Sequence, residues 1–269
     1  MRIAIIAGGG NLPLYLAKKN KDIFILCISE HVSSKCFQNK SSEVSILEPD
    51  KWINELNNNN ITHVVMVGKI DRPKVDNNLI NKKAISLLNK INDLGDNSAL
   101  IMIEKFFEEY GIKILPISTI LKDCFFDKGF SKNTIFPKEN RDLIIESSNF
   151  GIRLLNSLSQ FDVGQSLVVS EKFVYAIEGP EGTDEMIKRA GDLYSKLSNN
   201  KFGPVLIKIP KTSQKTYLDP PVLGIETLKM CLNFGFSSLV VSSTGTIIVD
   251  RESVENFLLE TQTICIYSV

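Results

Sequence analysis

The first half of the chain alternates continuous apolar runs with amphipathic stretches. Runs of Ile, Val, Phe and Leu without polar alternation are typical of strands that are buried on both faces of a parallel sheet. Between these runs, apolar residues recur at helical spacing. The predicted strands are residues 2–7, 22–28, 63–67 and 112–115, and the predicted helices are residues 12–20, 50–57, 84–90 and 98–110. Strands that alternate with helices in this way predict a Rossmann-like, doubly wound parallel sheet.

The pattern lapses over residues 127–137, where Gly, Ser, Asn, Thr and Pro occur without periodicity, so we expect a linker there. A long helix is predicted at residues 138–158. Beyond it, strands are predicted at residues 166–169, 174–177, 205–209, 239–241, 246–249 and 263–266, and helices at residues 184–197, 226–233 and 252–259. The predicted fold is α/β throughout: a Rossmann-like N-terminal domain at residues 1–132 and a second α/β domain at residues 133–269.

Composition excludes several classes of protein. The 269 residues include 31 Lys and Arg and 31 Asp and Glu, and a chain without basic excess is a poor candidate for binding nucleic acid. No stretch approaches ~18 consecutive apolar residues, and no basic region precedes the first apolar run, so we expect neither a membrane span nor a signal peptide. The five cysteines are scattered and only two histidines occur, which disfavours disulfides and zinc. We expect the cysteines to behave as small hydrophobic residues.

A glycine-rich segment, GGGNLP at residues 8–13, joins the first predicted strand to the first predicted helix. Glycines let backbone N–H groups approach phosphate oxygens, and a helix N-terminus adds positive potential. The dinucleotide fingerprint lacks its third glycine because Pro13 stands there, although Glu30 lies where a ribose-binding acid is expected. Phosphate or nucleotide binding, NAD binding and a turn that binds nothing all stay open. The candidate contacts are Gly8, Gly9, Gly10, Asn11 and Leu12.

An acidic segment, AIEGPEGTDEMIKR at residues 176–189, ends one predicted strand and opens a helix. Glu178, Glu181 and Asp184 are close in sequence, and Thr183 is expected to be the helix N-cap. Carboxylates there could bind a ligand, but a favourable interaction with the helix dipole explains them equally well.

A basic segment follows. Residues 201–215 contain four lysines and no acid, and the lone carboxylate of Asp219 then precedes two prolines. Lysines beside one carboxylate suit a phosphorylated ligand with Mg²⁺, whereas a solvated surface loop is the plain alternative. No histidine falls in either segment, which argues against a Ser-His-Asp triad and against a histidine-rich phosphatase.

Five segments together resemble the LpxI family of UDP-2,3-diacylglucosamine pyrophosphatases. They occur in the family's order and extend over nearly the whole chain. The segments are GGGNLP (residues 8–13), GDNSAL (95–100), DVGQSLVV (162–169), AIEGPEGTDEMIKR (176–189) and LDPPVLGIETL (218–228).

The resemblance implies hydrolysis of UDP-2,3-diacylglucosamine to UMP and 2,3-diacylglucosamine 1-phosphate (lipid X) in lipid A biosynthesis, with Mg²⁺ or another divalent cation. It implies a cytoplasmic protein that is peripheral to the inner membrane and visits it transiently, and it leaves a homodimer open. Asp219 begins the family's D-x-P-x-x-G stretch and is implied to be catalytic. Upstream, Lys215 stands where the family usually has an acid, and Tyr217 stands where it has an arginine.

The resemblance and the residue chemistry together give the candidate site. The expected metal ligands are Asp219, Glu181 and Asp184. The expected substrate contacts, besides residues 8–12, are Gln165, Thr183, Asp184, Arg189, Lys208, Lys211 and Gln214. Two other functions stay open: a catalytically weakened nucleotide or lipid-sugar binding protein of the same fold, and a nicotinamide-dependent oxidoreductase.

Overall fold

A computed structural model of the chain describes residues 1–71, 96–132, 136–198, 202–212 and 218–269, and only the backbone of residues 96–98. Two compact units are present, Met1–Lys122 and Asp123–Val269. Each unit is built from strands and helices, so the predicted α/β class is confirmed. The predicted helix at residues 84–90 lies outside the described residues.

Residues 123–132 pack with the second unit, although the prediction placed them before the domain boundary. Phe126 lies in the core of this unit, and Gly129–Phe130 forms a strand that pairs with its sheet. The segment predicted as a linker, residues 127–137, therefore contains an edge strand. Its two-residue length leaves no periodicity that the sequence could display.

The first unit contains a five-stranded, fully parallel sheet in the order β3-β2-β1-β4-β5. Strands extend from β1 in both directions, which is the Rossmann-like order with its switch point beside β1. The sequence missed β3 because its residues, SSEV, include one apolar side chain. The strands are β1 (Ile3–Ala7), β2 (Phe24–Ile28), β3 (Ser41–Val44), β4 (His63–Val67) and β5 (Lys113–Ile114).

Three α-helices of the first unit are described. Trp52 and Phe107 lie in the core, with their rings stacked at a centroid distance of 6.3 Å. The helices are α1 (Asn11–Lys19), α2 (Pro49–Asn58) and α3 (Asp96–Glu109), with short 3-10 turns at Ser34–Cys36 and Ile117–Thr119.

The second unit contains a six-stranded mixed sheet in the order β6-β13-β11-β9-β7-β8. Strands β9, β11 and β13 pair in parallel. The outer pairs, β6 with β13, β7 with β9 and β8 with β7, are antiparallel. A separate parallel pair joins β10 to β12. The strands are β6 (Gly129–Phe130), β7 (Ser166–Ser170), β8 (Phe173–Ile177), β9 (Val205–Lys208), β10 (Val222–Leu223), β11 (Ser238–Val241), β12 (Ile247–Ile248) and β13 (Cys265–Ser268).

Helices cover both faces of this sheet. Along β9, Leu206 packs in one hydrophobic cluster whereas Val205 and Ile207 pack in the other, so side chains alternate between two buried faces. No helix in the described part of either unit is long and apolar enough to cross a membrane. The helices are α4 (Lys138–Leu158), α5 (Thr183–Leu197), α6 (Ile225–Asn233) and α7 (Arg251–Thr261), with a 3-10 turn at Ser159–Phe161.

The cysteines are all free, and four of them are buried. Burial raises the pKa of Cys27 and of Cys265 to about 12. The expectation of a small hydrophobic role is wrong for Cys36, which is exposed because it lies in a 3-10 turn that buries none of its residues.

Candidate functional site

Polar residues converge where β7 begins and β9 ends. Ser166 of β7 pairs with Lys208 of β9 in an antiparallel register, so Gln165 and Lys208 lie at the same end of the sheet. Glu178 follows β8, and its N–H donates to the Ser166 oxygen at 2.9 Å. Together with two side chains from the following segments these residues form the Lys208 cluster: Gln165, Glu178, Thr183, Lys208 and Asp219.

Gln165 holds Asp219 through its side-chain amide. The Gln165 Nε2 group donates to Asp219 Oδ2 at 2.9 Å. Because a carboxylate only accepts hydrogen bonds, the amide NH₂ must face Asp219, and Oε1 faces away from it. Gln165 Oε1 is buried and has no hydrogen-bond partner among the described residues, whereas Asp219 is exposed. The result is an accessible carboxylate whose position is set by a largely buried amide.

Thr183 joins Glu178 to Lys208. Its hydroxyl donates to Glu178 Oε1 at 2.6 Å and accepts from Lys208 Nζ at 2.6 Å. The expectation that Thr183 caps α5 is wrong: Gly182, with φ 82°, is the N-cap, and no side chain caps this helix. The Thr183 side chain is turned toward the glutamate at the end of β8 instead.

Lys208 is a desolvated cation among acids. Burial lowers the pKa of its ammonium, while the carboxylates of Glu178, Asp184 and Asp219 oppose that shift without cancelling it. Asp184 itself is exposed in the first turn of α5. A cation that has lost hydration interacts strongly with an anion that enters the site, because the effective dielectric constant there is low.

Two of the other predicted residues pair with each other. Arg189 donates to Glu181 Oε1 at 2.7 Å and to the Ile177 oxygen at 3.2 Å. Backbone hydrogen bonds and the Arg189 guanidinium lower the pKa of Glu181 although desolvation opposes them. Both side chains are exposed, and the Glu181 carboxylate is occupied by Arg189.

Lys211 is buried, with 8% of its side chain exposed, and is paired inside its own unit. Its Nζ donates to Asp162 Oδ1 at 2.7 Å and to the Asp162 backbone oxygen at 3.4 Å. Its ammonium thus forms an ion pair with Asp162. Gln214, Lys215 and Tyr217 lie outside the described residues, so their predicted roles stay predictions.

The glycine-rich turn of the first unit uses two of its five candidate donors internally. The N–H of Gly8 donates to the Val67 oxygen, and the N–H of Gly9 donates to the Lys69 oxygen, each at 2.8 Å. An added Cβ on Gly8 would lie 2.6 Å from the Lys69 oxygen, so this glycine lets two loops approach. The glycine content therefore has a packing cause in addition to any role in binding.

The start of α1 follows these two packed glycines. Gly10 is the N-cap with φ 96°, and Asn11 and Leu12 form the first turn of the helix. N–H groups of a first helical turn have no partner within the helix and are suited to an anion. Gly10 and Asn11 are exposed. These three residues are the part of the turn that remains available for a phosphate.

Glu30 is engaged by its own loop. Its carboxylate accepts from the Ser45 hydroxyl and, at 3.1 Å, from the Ile46 N–H. Partial burial would raise the pKa of Glu30, but these hydrogen bonds lower it. A carboxylate that is already satisfied is a weak ligand for a ribose, so the geometry gives the NAD alternative no support.

The described residues contain no group of three or more His, Cys, Asp or Glu side chains that could hold a metal ion. Mg²⁺ often takes only one or two carboxylates and completes its shell with water and phosphate oxygens. The exposed Asp219 carboxylate is a hard oxygen donor of the kind that Mg²⁺ prefers. The donor chemistry fits a magnesium ion that binds with its phosphorylated ligand.

Sequence reasoning missed two residues of this site. In the sequence Glu178 is one of several acids in its segment, and its role depends on side-chain hydrogen bonds that no spacing reveals. Gly164 was not singled out, although an added Cβ would lie 2.5 Å from the Glu178 oxygen and 2.6 Å from its Cβ. A glycine directly before Gln165, ahead of a strand, was the available signal.

Two family models together match nearly the whole chain. A family model described as the LpxI N-terminal domain matches residues 2–124, and one described as the LpxI C-terminal domain matches residues 132–267. A protein of Caulobacter vibrioides named UDP-2,3-diacylglucosamine pyrophosphatase LpxI is 25% identical over 264 residues, which cover 94% of this chain and 92% of that protein.

Proposed function

The chain belongs to the LpxI family, and from this membership we propose that it hydrolyses the pyrophosphate bond of UDP-2,3-diacylglucosamine. The products are UMP and 2,3-diacylglucosamine 1-phosphate. The observation that supports this most is the Lys208 cluster, in which a desolvated ammonium and an accessible carboxylate lie together, each held by a neutral hydrogen-bonding side chain. Phosphoryl transfer depends mainly on positioning and charge stabilisation, which these groups can supply.

Within the cluster, we assign the residues the following tasks. Asp219 orients the attacking water and accepts its proton, and Gln165 keeps the carboxylate in place through the 2.9 Å hydrogen bond. Lys208 neutralises charge that develops on the phosphoryl oxygens as the bridging bond breaks. The Thr183 hydroxyl fixes the direction of the Lys208 ammonium. Arg189 and Lys211 are paired with acids and act on the ligand only through their residual positive potential.

The proposed cofactor is Mg²⁺, held by Asp219 with Asp184 as a second carboxylate. When bound, the cation would act as a Lewis acid toward the pyrophosphate oxygens. Glu181 is the weakest of the three predicted ligands because Arg189 already occupies its carboxylate. The turn at Gly10, Asn11 and Leu12 is proposed as a phosphate or nucleotide contact of the first unit.

We also propose brief contact with the inner membrane, where a diacylated substrate resides. The formal net charge of zero argues against a polybasic anchor, so the acyl chains of the substrate would supply the attraction. Sedimentation with vesicles that contain UDP-2,3-diacylglucosamine, compared with vesicles that lack it, measures this attraction directly.

The function is tested by chromatography of UMP released from UDP-2,3-diacylglucosamine in detergent micelles. Asp219→Asn keeps the size and an acceptor for Gln165 but removes the charge, so we expect turnover to fall about 10²- to 10⁴-fold. Asp192→Asn, an exposed acid on α5, is the matched control and should leave turnover unchanged. An Asp219→Asn enzyme with wild-type turnover would remove Asp219 from the mechanism.

The same samples separate the alternatives. A wild-type protein that binds the substrate but releases no UMP with any divalent cation is the weakened binding protein, and the replacements at Lys215 and Tyr217 would be the place to look for the cause. Fluorescence titration with NADH tests the oxidoreductase alternative, which requires saturable binding.

A further inference from the structure

Glu178 receives two hydrogen bonds, one on each carboxylate oxygen, from the two halves of the Lys208 cluster. Its Oε2 accepts from the Gln165 backbone N–H at 3.1 Å, and its Oε1 accepts from the Thr183 hydroxyl at 2.6 Å. Gln165 continues to Asp219, and Thr183 continues to Lys208. One carboxylate thus connects Asp219 and Lys208 without contacting either of them in these hydrogen bonds.

The direction of the Thr183 hydroxyl follows from this arrangement. A hydroxyl has a single proton and can donate one hydrogen bond, whereas an ionised carboxylate can only accept hydrogen bonds. Thr183 therefore donates to Glu178 and presents its lone pair to the Lys208 ammonium, which can only donate. A side chain at position 178 with no acceptor on the Thr183 side would leave the hydroxyl free to rotate, and the ammonium would lose its fixed acceptor.

The backbone around Glu178 is built for close contact. The Glu178 N–H donates to the Ser166 oxygen at 2.9 Å, which ties the residue to β7. Gly164 is required there because an added Cβ would lie 2.5 Å from the Glu178 oxygen and 2.8 Å from Glu178 Cγ. The side chain is only partly exposed, so water competes weakly for its hydrogen bonds.

We propose that Glu178 is a positioning residue that sets the Gln165–Asp219 and Thr183–Lys208 pairs in register for the reaction. This inference rests on the proposed function of the cluster and assigns a role to a residue outside the expected site. It predicts that Glu178 affects turnover through other residues, with little effect on substrate affinity. Residues that orient catalytic or ligating groups typically change activity by about 10- to 100-fold when they are altered.

Glu178→Gln is the sharpest variant because it keeps the shape and removes the charge. A carboxamide has one acceptor oxygen and one NH₂ group, so when it replaces the two carboxylate oxygens it cannot face an acceptor to both the Gln165 N–H and the Thr183 hydroxyl. We expect kcat to fall about 10- to 100-fold with KM within about twofold of the wild-type value. Glu185→Gln is the matched control on α5, where the exposed carboxylate pairs with Lys188, and it should leave kcat unchanged.

A double-mutant cycle separates positioning from general destabilisation. Thr183→Val removes the hydroxyl, and if Glu178 acts through it, the Glu178→Gln/Thr183→Val enzyme should lose less activity than the product of the two single losses. Thr183→Ser keeps the hydroxyl and should retain a larger share of turnover than Thr183→Val. If Glu178→Gln cannot be recovered folded, the comparison of the two Thr183 variants decides the question.

The outcomes distinguish this inference from the proposed function. An active wild type with kcat of Glu178→Gln within twofold of it, fully independent losses in the cycle, or equal turnover of Thr183→Ser and Thr183→Val would overturn the positioning role alone. A wild-type protein that releases no UMP would overturn the proposed function itself.

Discussion

Gly203 offers a stability test in which two glycines of the same unit respond differently. It lies two residues before β9, the strand that ends at Lys208, and has φ +91°. An added Cβ would overlap the Gly235 oxygen and lie 3.0 Å from the Ser237 nitrogen. Gly235 also has a positive φ, +74°, but an added Cβ there has no atom within 4 Å. Alanine at Gly235 meets only the backbone penalty, whereas alanine at Gly203 meets that penalty and a backbone collision.

The magnitudes follow from these two contributions. A left-handed conformation costs an L-residue about 1–2 kcal/mol, and overpacking in a closely packed region adds about 1–3 kcal/mol. We therefore expect the free energy of unfolding to fall by about 1–2 kcal/mol for Gly235→Ala and by about 2–5 kcal/mol for Gly203→Ala. With a urea m-value of about 2 kcal/mol/M, a loss of 4 kcal/mol moves the unfolding midpoint by about 2 M.

Thiol labelling in urea, read by mass spectrometry, reports the unfolding of the second unit. Cys231 and Cys265 are buried, and their raised pKa values keep them unreactive until the unit opens. The single tryptophan, Trp52, reports the first unit through its fluorescence. Equal midpoint shifts for Gly203→Ala and Gly235→Ala would refute the argument from close approach.

Two further predictions concern the first unit. Glu30→Gln should lower stability most above about pH 4.3, the ordinary glutamate pKa, and the difference from wild type should vanish as the pH falls through the lowered pKa of the folded state. The effect is below about 1 kcal/mol because Glu30 is exposed. A stability difference that persists under acid conditions, measured by Trp52 fluorescence, would contradict this prediction. At about pH 8 the native protein should react rapidly with one equivalent of a thiol reagent, at Cys36, and the denatured protein should react with five equivalents. A second thiol that reacts rapidly in the native protein would show that the burial described for the other cysteines is incorrect.

The sequence was sufficient for the architecture where apolar runs are long. Strands β1, β2 and β4 are continuous in Ile, Val, Leu and Phe, and both their existence and their parallel arrangement follow from that composition. The short strands β3, β6 and β10 were missed because two to four residues cannot display a period. Their pairing is decided by neighbouring strands and not by their own propensity.

The site was predictable as a set of segments but not as a set of contacts. The motifs placed Gln165, Thr183, Lys208 and Asp219 among the candidates, and the antiparallel register of β7 and β9 brings them together. The pairing of Lys211 with Asp162 was not predictable because the two residues are 49 positions apart and neither lies in a recognisable spacing. The role of Glu178 likewise depends on which of several nearby acids accepts the hydrogen bond from the Thr183 hydroxyl.

The most direct test of the account is the metal dependence of pyrophosphate cleavage by the purified full-length protein. UDP-2,3-diacylglucosamine is incubated with the wild type in EDTA and then in excess Mg²⁺, and both products are quantified by mass spectrometry. The account predicts no cleavage in EDTA and equal amounts of UMP and 2,3-diacylglucosamine 1-phosphate after Mg²⁺ is restored. Cleavage that is unaffected by EDTA, or intact substrate in both samples, would contradict it.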